Sequence, residues 1–251
     1  MAKKTKMQQI WDLKAKNFPR FKENQKDNLY ILKFFRDCGV SFMDKNIIDI
    51  GCGNGRFALE LASEARSILG IDVSPAMLEI LEKDSISMGF NNIKTEACQW
   101  EDYNLTNQFD IAFASMTPAL NNKEGFKKAL NCSNEGLCYI GWGRTRKSEF
   151  LEEILREHNL KLDLPVGLPN VLLWLNELGY KKPPYKFVQS NLNYKSSIEN
   201  AIEDIIFTIK VHDGDPNLEL IKEYVSKKSS NQAVIYNQER EIGFTFIKKN
   251  K

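Results

Sequence analysis

An acid and three glycines at alternate positions stand out first in this chain, in Asp49-Ile50-Gly51-Cys52-Gly53-Asn54-Gly55. Glycines at that spacing let a backbone turn tightly and approach a ligand where a side chain would clash. A helix starting just beyond them aims its free N–H groups and positive dipole end at the same spot. The combination predicts a nucleotide-like ligand, and two identities compete for it. Gly53-Asn54-Gly55-Arg56-Phe57-Ala58 satisfies GxGxxA, and Asp72 lies 19 residues beyond Gly53, so a nicotinamide or flavin dinucleotide fits the spacing. Asp49 argues the other way. An acid at the end of a buried strand is costly unless hydrogen-bond donors match it. Loop amides and a ligand ammonium would match it, whereas a pyrophosphate would be repelled, which favours a cationic, zwitterionic ligand.

The elements around the loop are those such a site needs. Asn46-Ile47-Ile48-Asp49-Ile50 is a continuous apolar run, as expected of a strand buried on both faces of a parallel sheet. Arg56 to Ser63 reads as a helix and Ser67 to Ile71 as a second strand. Ser74-Pro75 starts another helix, with Ser as N-cap and Pro in the first helical position. Ile93 to Ala97, Phe109 to Ala114 and Leu137 to Ile140 read as further strands, with helix around Lys123 to Leu130. This alternation predicts an α/β fold: a Rossmann-like, doubly wound, mostly parallel sheet with right-handed crossovers. Beyond residue 160 the expected order is a helix from Leu168 to Leu178, a strand from Tyr185 to Leu192, and a helix capped by Ser196 with Glu199 running to Lys210. One more helix capped at Asp215-Pro216 follows, then two strands, Ala233 to Tyr236 and Glu241 to Ile247, joined by a polar turn. The predicted organisation is a helical arm or cap over residues 1–45, a cofactor-binding core over 46–147, and a helical lid plus C-terminal strands, one of them antiparallel, over 148–251.

The 251 residues are 42% hydrophobic and 27% charged, enough for a proper core and without the signature of disorder. The longest apolar runs span only a few residues, which excludes a membrane-spanning helix. Met1-Ala2-Lys3-Lys4 lacks the apolar stretch of a secretory signal, so a cytoplasmic location is expected. Five cysteines, with no CxxC pair, argue against a disulfide scaffold or a bound metal. Net charge is +2, but residues 1–36 hold ten Lys/Arg against three Asp/Glu, whereas residues 47–141 hold seven against thirteen. The basic N-terminal stretch reads as a solvated helix, a nucleic-acid-binding tail or a docking segment. Trp11 and Phe18, at helical spacing, favour a segment that folds back over the ligand pocket with both rings buried.

With these residues in view, the chain resembles the class I S-adenosylmethionine-dependent methyltransferases of small-molecule type, closely over residues 46–141 and more loosely on both flanks. Ile48-Asp49-Ile50-Gly51-Cys52-Gly53-Asn54-Gly55 is similar to that family's first motif, and Gly70-Ile71-Asp72-Val73-Ser74-Pro75-Ala76-Met77 to its second strand and the turn after it. Gln99-Trp100-Glu101-Asp102 falls where the adenine-side loop belongs, and Phe109-Asp110-Ile111-Ala112-Phe113-Ala114-Ser115 is similar to the fourth strand. The resemblance implies S-adenosyl-L-methionine as cofactor. It places Gly51, Cys52 and Gly53 against the methionine and ribose portions, Asp49 toward the ammonium end, Asp72 on the ribose hydroxyls, and Val73 and Met77 beside the adenine. Gln99 and Trp100 on the adenine loop and Ser115 after the fourth strand complete the expected cofactor set. The family's frequent Asp on that loop is missing from Ala97-Cys98-Gln99-Trp100, so backbone groups or the Gln99 carbonyl would take its place.

The function expected is methyl transfer to a small-molecule acceptor, with no catalytic residue assigned. An NAD(P)-dependent oxidoreductase and a non-catalytic S-adenosylmethionine-binding protein are the alternatives. Ser115-Met116-Thr117-Pro118 and Gly141-Trp142-Gly143-Arg144 fall where an acceptor would sit, with Arg144 and Arg146 as possible partners of an acidic substrate. The Asp/Asn-Pro-Pro-aromatic motif of similar nucleic-acid amino-methyltransferases is replaced here by Ser-Met-Thr-Pro, which disfavours a nucleic-acid partner. His158 and His212 are the histidines available as a general base.

Overall fold

The computed structural model describes residues 5–104 and 109–249; the Met1-Ala2-Lys3-Lys4 reading lies outside them. Helices α1 (Lys6–Ala15) and α2 (Lys26–Asp37) precede β1 (Asn46–Ile50), α3 (Arg56–Leu61), β2 (Ser67–Asp72), α4 (Pro75–Ser87), β3 (Ile93–Ala97), β4 (Phe109–Ser115), α5 (Lys123–Asn131) and β5 (Ser133–Lys147). Then come α6 (Glu149–Glu157), α7 (Leu168–Glu177), β6 (Tyr185–Gln189), β7 (Leu192–Ser197), α8 (Ile198–Val211), α9 (Leu218–Lys228), β8 (Ser229–Ser230) and β9 (Ala233–Lys248). Their contacts divide the described chain into two compact units. The first takes its residues from Met1–Trp142, Val166–Phe187 and Gly243–Lys251, and the second from Gly143–Pro165 and Val188–Ile242.

In the first unit the strands follow the order β3-β2-β1-β4-β5-β9-β6, and the β1–β2, β1–β4, β2–β3 and β4–β5 pairs are all parallel. Strand β1 lies between β2 and β4, with Ile47 opposite both Ile68 and Ile111, and its residues Ile47 to Ile50 are all buried. That is why a run of four apolar or buried residues is a strand here. The order in which strands are added reverses between β1 and β4, the place where open α/β sheets leave a crevice beyond their strand ends. Helix α2 buries Ile31, Leu32, Phe34 and Phe35. Phe35 and Phe57 meet Phe113 of β4 at ring distances of 5.7 and 4.9 Å, and Phe34 meets Phe244 at 4.9 Å. Helix α4 starts as its sequence predicts, with the Ser74 hydroxyl accepting the Met77 N–H and Pro75 following the cap.

The second unit has a different core. There β7 and β8 pair antiparallel with β9, and Phe150, Ile154, Ala201, Ile205, Ile209, Ile221 and Val225 pack beneath them. Tyr194, Tyr236 and Phe150 form one stack, with ring distances of 4.7 and 4.4 Å.

Several boundaries differ from the sequence reading. The expected pair of C-terminal strands is one strand, β9, with no turn between its halves. Asn237 and Gln238 pair across to Asn193 and Leu192 of β7, so the polar stretch sits inside a ladder, and it holds no glycine or proline to bend it. The strand expected over Tyr185 to Leu192 is broken into β6 and β7. The caps of α8 and α9 are Ser197 and Asn217, each accepting from the backbone N–H three residues on, rather than Ser196 and Asp215.

Candidate functional site

At the carboxyl ends of β1, β2 and β4 the first unit encloses a cavity of about 330 Å³. Asp49, Gly51, Cys52, Gly53, Asp72, Val73, Met77, Gln99, Trp100 and Ser115 all line it, so the structure brings together every residue proposed for the cofactor. Gly51 adopts a φ of +65°, and a Cβ there would overlap the Thr117 hydroxyl and come within 2.6 Å of the Thr117 Cβ. The β4 loop is thus pressed against the glycine turn. Gly53 has a φ of +55° and the opposite surroundings: a Cβ there would meet nothing within 4 Å, because it would point into open space. A side chain at Gly53 would fill a place that the turn leaves open.

Asp72 is half-buried at the end of β2. Its carboxylate accepts the Gly53 and Ser74 backbone N–H groups, both at 2.9 Å, so it braces the glycine turn before any ligand arrives. Burial raises its pKa, and the N–H groups of Ser74, Gly53 and Val73 pull it back down. Asp49 is 3% exposed. Burial, with the negative charge of Asp72 adding to it, pushes Asp49 up to about 7, although the Ala58 N–H favours its ionised form. Two acids therefore share one concave, largely apolar space, and a cationic group placed there would stabilise both. The thiols are not set up as nucleophiles: burial raises Cys52 and pushes Cys98 up to about 11, so both stay protonated near neutrality.

Trp100 belongs to the core as well as to the cavity. It is 2% exposed, its Nε1–H donates to the Gly125 carbonyl at 2.9 Å, and its ring stacks on Tyr103. Gln99 donates through Nε2 to Asp102 at 3.1 Å. Among residues not assigned to the cofactor from sequence, Asn54, Arg56, Phe57, Cys98, Glu101 and Asn121 also line the cavity. Each is ordinary for a loop or helix start, and only its placement at the strand ends marks it. Met116, in the loop flagged as an acceptor position, lines the cavity with a φ of +49°, a costly conformation for a non-glycine residue.

The N-terminal segment closes one side of the cavity, with Met7, Trp11 and Phe18 in its wall. Trp11 and Phe18 are half-buried rather than fully buried, because each ring gives part of its surface to the cavity. Asp12 accepts the Ser74 hydroxyl at 2.7 Å and the Ala76 N–H at 3.3 Å, and the buried Asn54 side chain donates to the Pro19 carbonyl at 2.8 Å.

Arg144, Arg146, His158 and His212 belong to the second unit. Arg144 is committed to the buried Glu241 by a bidentate pair at 2.8 and 2.6 Å, so the expectation that it would hold an acidic substrate is replaced by a structural role. Nδ1 of His158 and of His212 faces the carbonyl four residues back, at 2.8 and 2.7 Å, and His158 Nε2 accepts the Asn217 N–H. Both rings are tied into helix ends.

The fold and the acid–glycine–acid geometry are of the kind open α/β sheets use to hold ligands beyond their strand ends. Residues 42–161 match a methyltransferase domain family. A Haemophilus influenzae protein of uncharacterized function is 24% identical over 214 residues, covering 78% of this chain and 74% of that one. The chain spans less than two thirds of the length of the other curated relatives it matches. Among solved structures, a proposed methyltransferase from Bacillus halodurans superposes with a TM-score of 0.56 at 13% identity, over 88% of this chain and 99% of that one. The Haemonchus contortus phosphoethanolamine N-methyltransferase 2, in complex with S-adenosyl-L-methionine, gives a TM-score of 0.51 at 18% identity, over 90% of this chain and 53% of that one. Over residues 42–161 the chain is thus similar to a methyltransferase domain, and its fold is the one these solved methyltransferases have.

Proposed function

We propose that the cavity holds S-adenosylmethionine on the residues named above and that the methyl group passes to a small-molecule acceptor. In this reading the ribose hydroxyls meet Asp72, the ammonium end faces Asp49, and Val73 and Met77 flank the adenine beside Gln99 and Trp100. The observation that carries it is the pair of acids at one cavity below the open face of Gly53. A diphosphate would be repelled there, while a sulfonium and an ammonium would be held.

Bound in this place, the cofactor supplies an electrophilic methyl group on a cationic sulfur. What the chain supplies is alignment and exclusion of water, which can carry much of the acceleration of an in-line displacement. Asp72 orients, Asp49 ionises against positive charge, and Met7, Trp11, Phe18 and Phe57 form apolar wall. The small-molecule acceptor is supported by the rings of the basic N-terminal segment, which line the cavity instead of being presented to nucleic-acid bases. No helix among the described residues is long and apolar enough to cross a membrane, and the reading keeps the cytoplasmic compartment expected from the sequence.

Calorimetric titration tests the cofactor: saturable heat with S-adenosylhomocysteine and none with NADH is expected, and the reverse would restore the oxidoreductase alternative. Incubation with cofactor labelled in its methyl group, followed by fractionation of a cell extract, tests the acceptor. Label in the small-molecule fraction supports the proposal, and label confined to RNA or protein overturns it.

A further inference from the structure

Two of the backbone donors that hold Asp72 sit next to two of the points at which the N-terminal segment is fastened. Gly53 gives its N–H to one carboxylate oxygen of Asp72, and its neighbour Asn54 fastens the Pro19 carbonyl. Ser74 gives its N–H to the other oxygen, and its hydroxyl fastens Asp12. The Asp12 carboxylate also takes the Ala76 N–H, in the first turn of α4, where negative charge is favoured. A third fastening, Arg20 with Asp84 (Nε to Oδ2, 3.1 Å), lies at the surface and away from Asp72. Between these points Met7, Trp11 and Phe18 wall the cavity, so a ligand that fills it cannot leave past them while the segment is docked. Only Ile10 and Ala15 of α1 are buried, and the link to α2 turns through Asn24 at a φ of +56°. Elements with few buried apolar contacts open at low free-energy cost.

From this geometry we propose that residues 6–20 form a latched gate whose two inner latches, Asn54–Pro19 and Ser74–Asp12, flank Asp72 and couple closure of the gate to occupation of Asp72 by the cofactor. The proposal rests on the cofactor reading above. Ribose hydroxyls arriving at Asp72 draw on the same carboxylate that sets the positions of Gly53 and Ser74, and so of Asn54 and the Ser74 hydroxyl. Coupling of this kind is reciprocal: a ligand that favours the closed gate is bound more tightly when the gate is latched. Asn54 and Asp12 are then positioning residues, acting on the cofactor through the segment, and Arg20–Asp84 is an outer contact of small energy because its guanidinium is exposed.

Limited trypsin cleavage at Lys14, Lys16 and Arg20, with and without saturating S-adenosylhomocysteine, reads the gate directly, while stopped-flow displacement reads the ligand's dissociation rate. The expected result for the parent protein is about a tenfold slowing of cleavage when ligand is bound. The Asn54→Ala and Asp12→Ala variants should lose that protection and release ligand about tenfold faster, whereas Arg20→Ala should change the release rate less than about twofold. Thermal unfolding of each variant shows whether the fold has been kept. The Ser74→Ala variant, which keeps the Asp12–Ala76 contact, provides a second, milder break in the same latch. Saturable binding with identical cleavage rates in both states would overturn the gate and leave the cofactor reading standing. Absence of any binding by the parent protein would overturn both.

Discussion

The two units treat their buried polar groups in opposite ways. In the second, nearly every such group that could do chemistry is committed to a fixed partner: Glu241 to Arg144, Tyr236 to Asp204, Tyr224 to Glu153 and the Phe150 carbonyl, His158 and His212 to helix carbonyls. In the first, Asp49 and Asp72 are buried or half-buried at a cavity, held by backbone N–H groups, with no lysine or arginine ion pair among the described residues of the kind Glu241 has. The physical distinction is compensation. A buried acid matched by a guanidinium stabilises a fold, whereas one matched only by amides keeps a standing preference for added positive charge. The same residue types therefore make a scaffold in one place and a candidate binding site in the other.

The sharpest way to break this comparison is Gly51→Ala. The left-handed backbone and the overlap with Thr117 together should destabilise the first unit by about 2–4 kcal/mol and abolish measurable cofactor binding. Thr117→Gly in the same chain should recover part of the loss, seen as a rise in the unfolding midpoint. Asp72→Ala comes next. Losing one to two charge-assisted hydrogen bonds of about 1.5–3 kcal/mol each should weaken S-adenosylhomocysteine binding at least tenfold by calorimetry, with the circular dichroism spectrum unchanged. In the second unit, Glu241→Gln should do the converse, lowering stability by about 1–2 kcal/mol while the cofactor affinity stays within twofold. The Arg144 guanidinium holds Glu241 below the usual carboxylate range. Its stabilising contribution is therefore present above the unfolded-state value and lost as pH falls through the depressed one, so the variant and the parent should converge in stability in acid.

The smallest expected effect belongs to Asp49 and has the opposite sign. Its value, raised to about 7, means that between the ordinary aspartate value and pH 7 the folded chain keeps a proton that the unfolded chain has lost. This group's contribution to stability therefore falls as pH rises through that window and levels off above it. A cationic ligand reverses the preference. Cofactor binding at pH 6 should release up to one proton, detected as a dependence of the binding heat on buffer ionisation enthalpy, and Asp49→Asn should remove that dependence. A proton balance unaltered by the substitution would show that the Asp49 carboxyl is not sensed by the ligand.

Regular local patterns carried most of the fold into the sequence. Strand β1 is legible because a strand flanked by two parallel neighbours needs apolar side chains on both faces, and α4 because Ser74 and Pro75 cap it with their own atoms. The glycine turn and the placement of Asp49 and Asp72 at strand ends were legible for the same reason: backbone geometry sets them, a few residues from the signals that announce them. The continuous β9 was not, because Asn237 and Gln238 look like a turn until β7 is placed opposite them.

What only the tertiary structure decided is which distant residues share a surface. Nothing local tells Thr117 that Gly51 lies against it, or Asn54 that its amide will meet Pro19, 35 residues earlier in the chain. Nor does sequence separate Arg144, spent on Glu241, from an arginine open to an anion. Side-chain type and spacing fix what a residue is able to do. Contacts between segments far apart in the chain fix what is left for it to do, because a hydrogen bond or an ion pair made inside the fold uses the same atoms that a ligand would need.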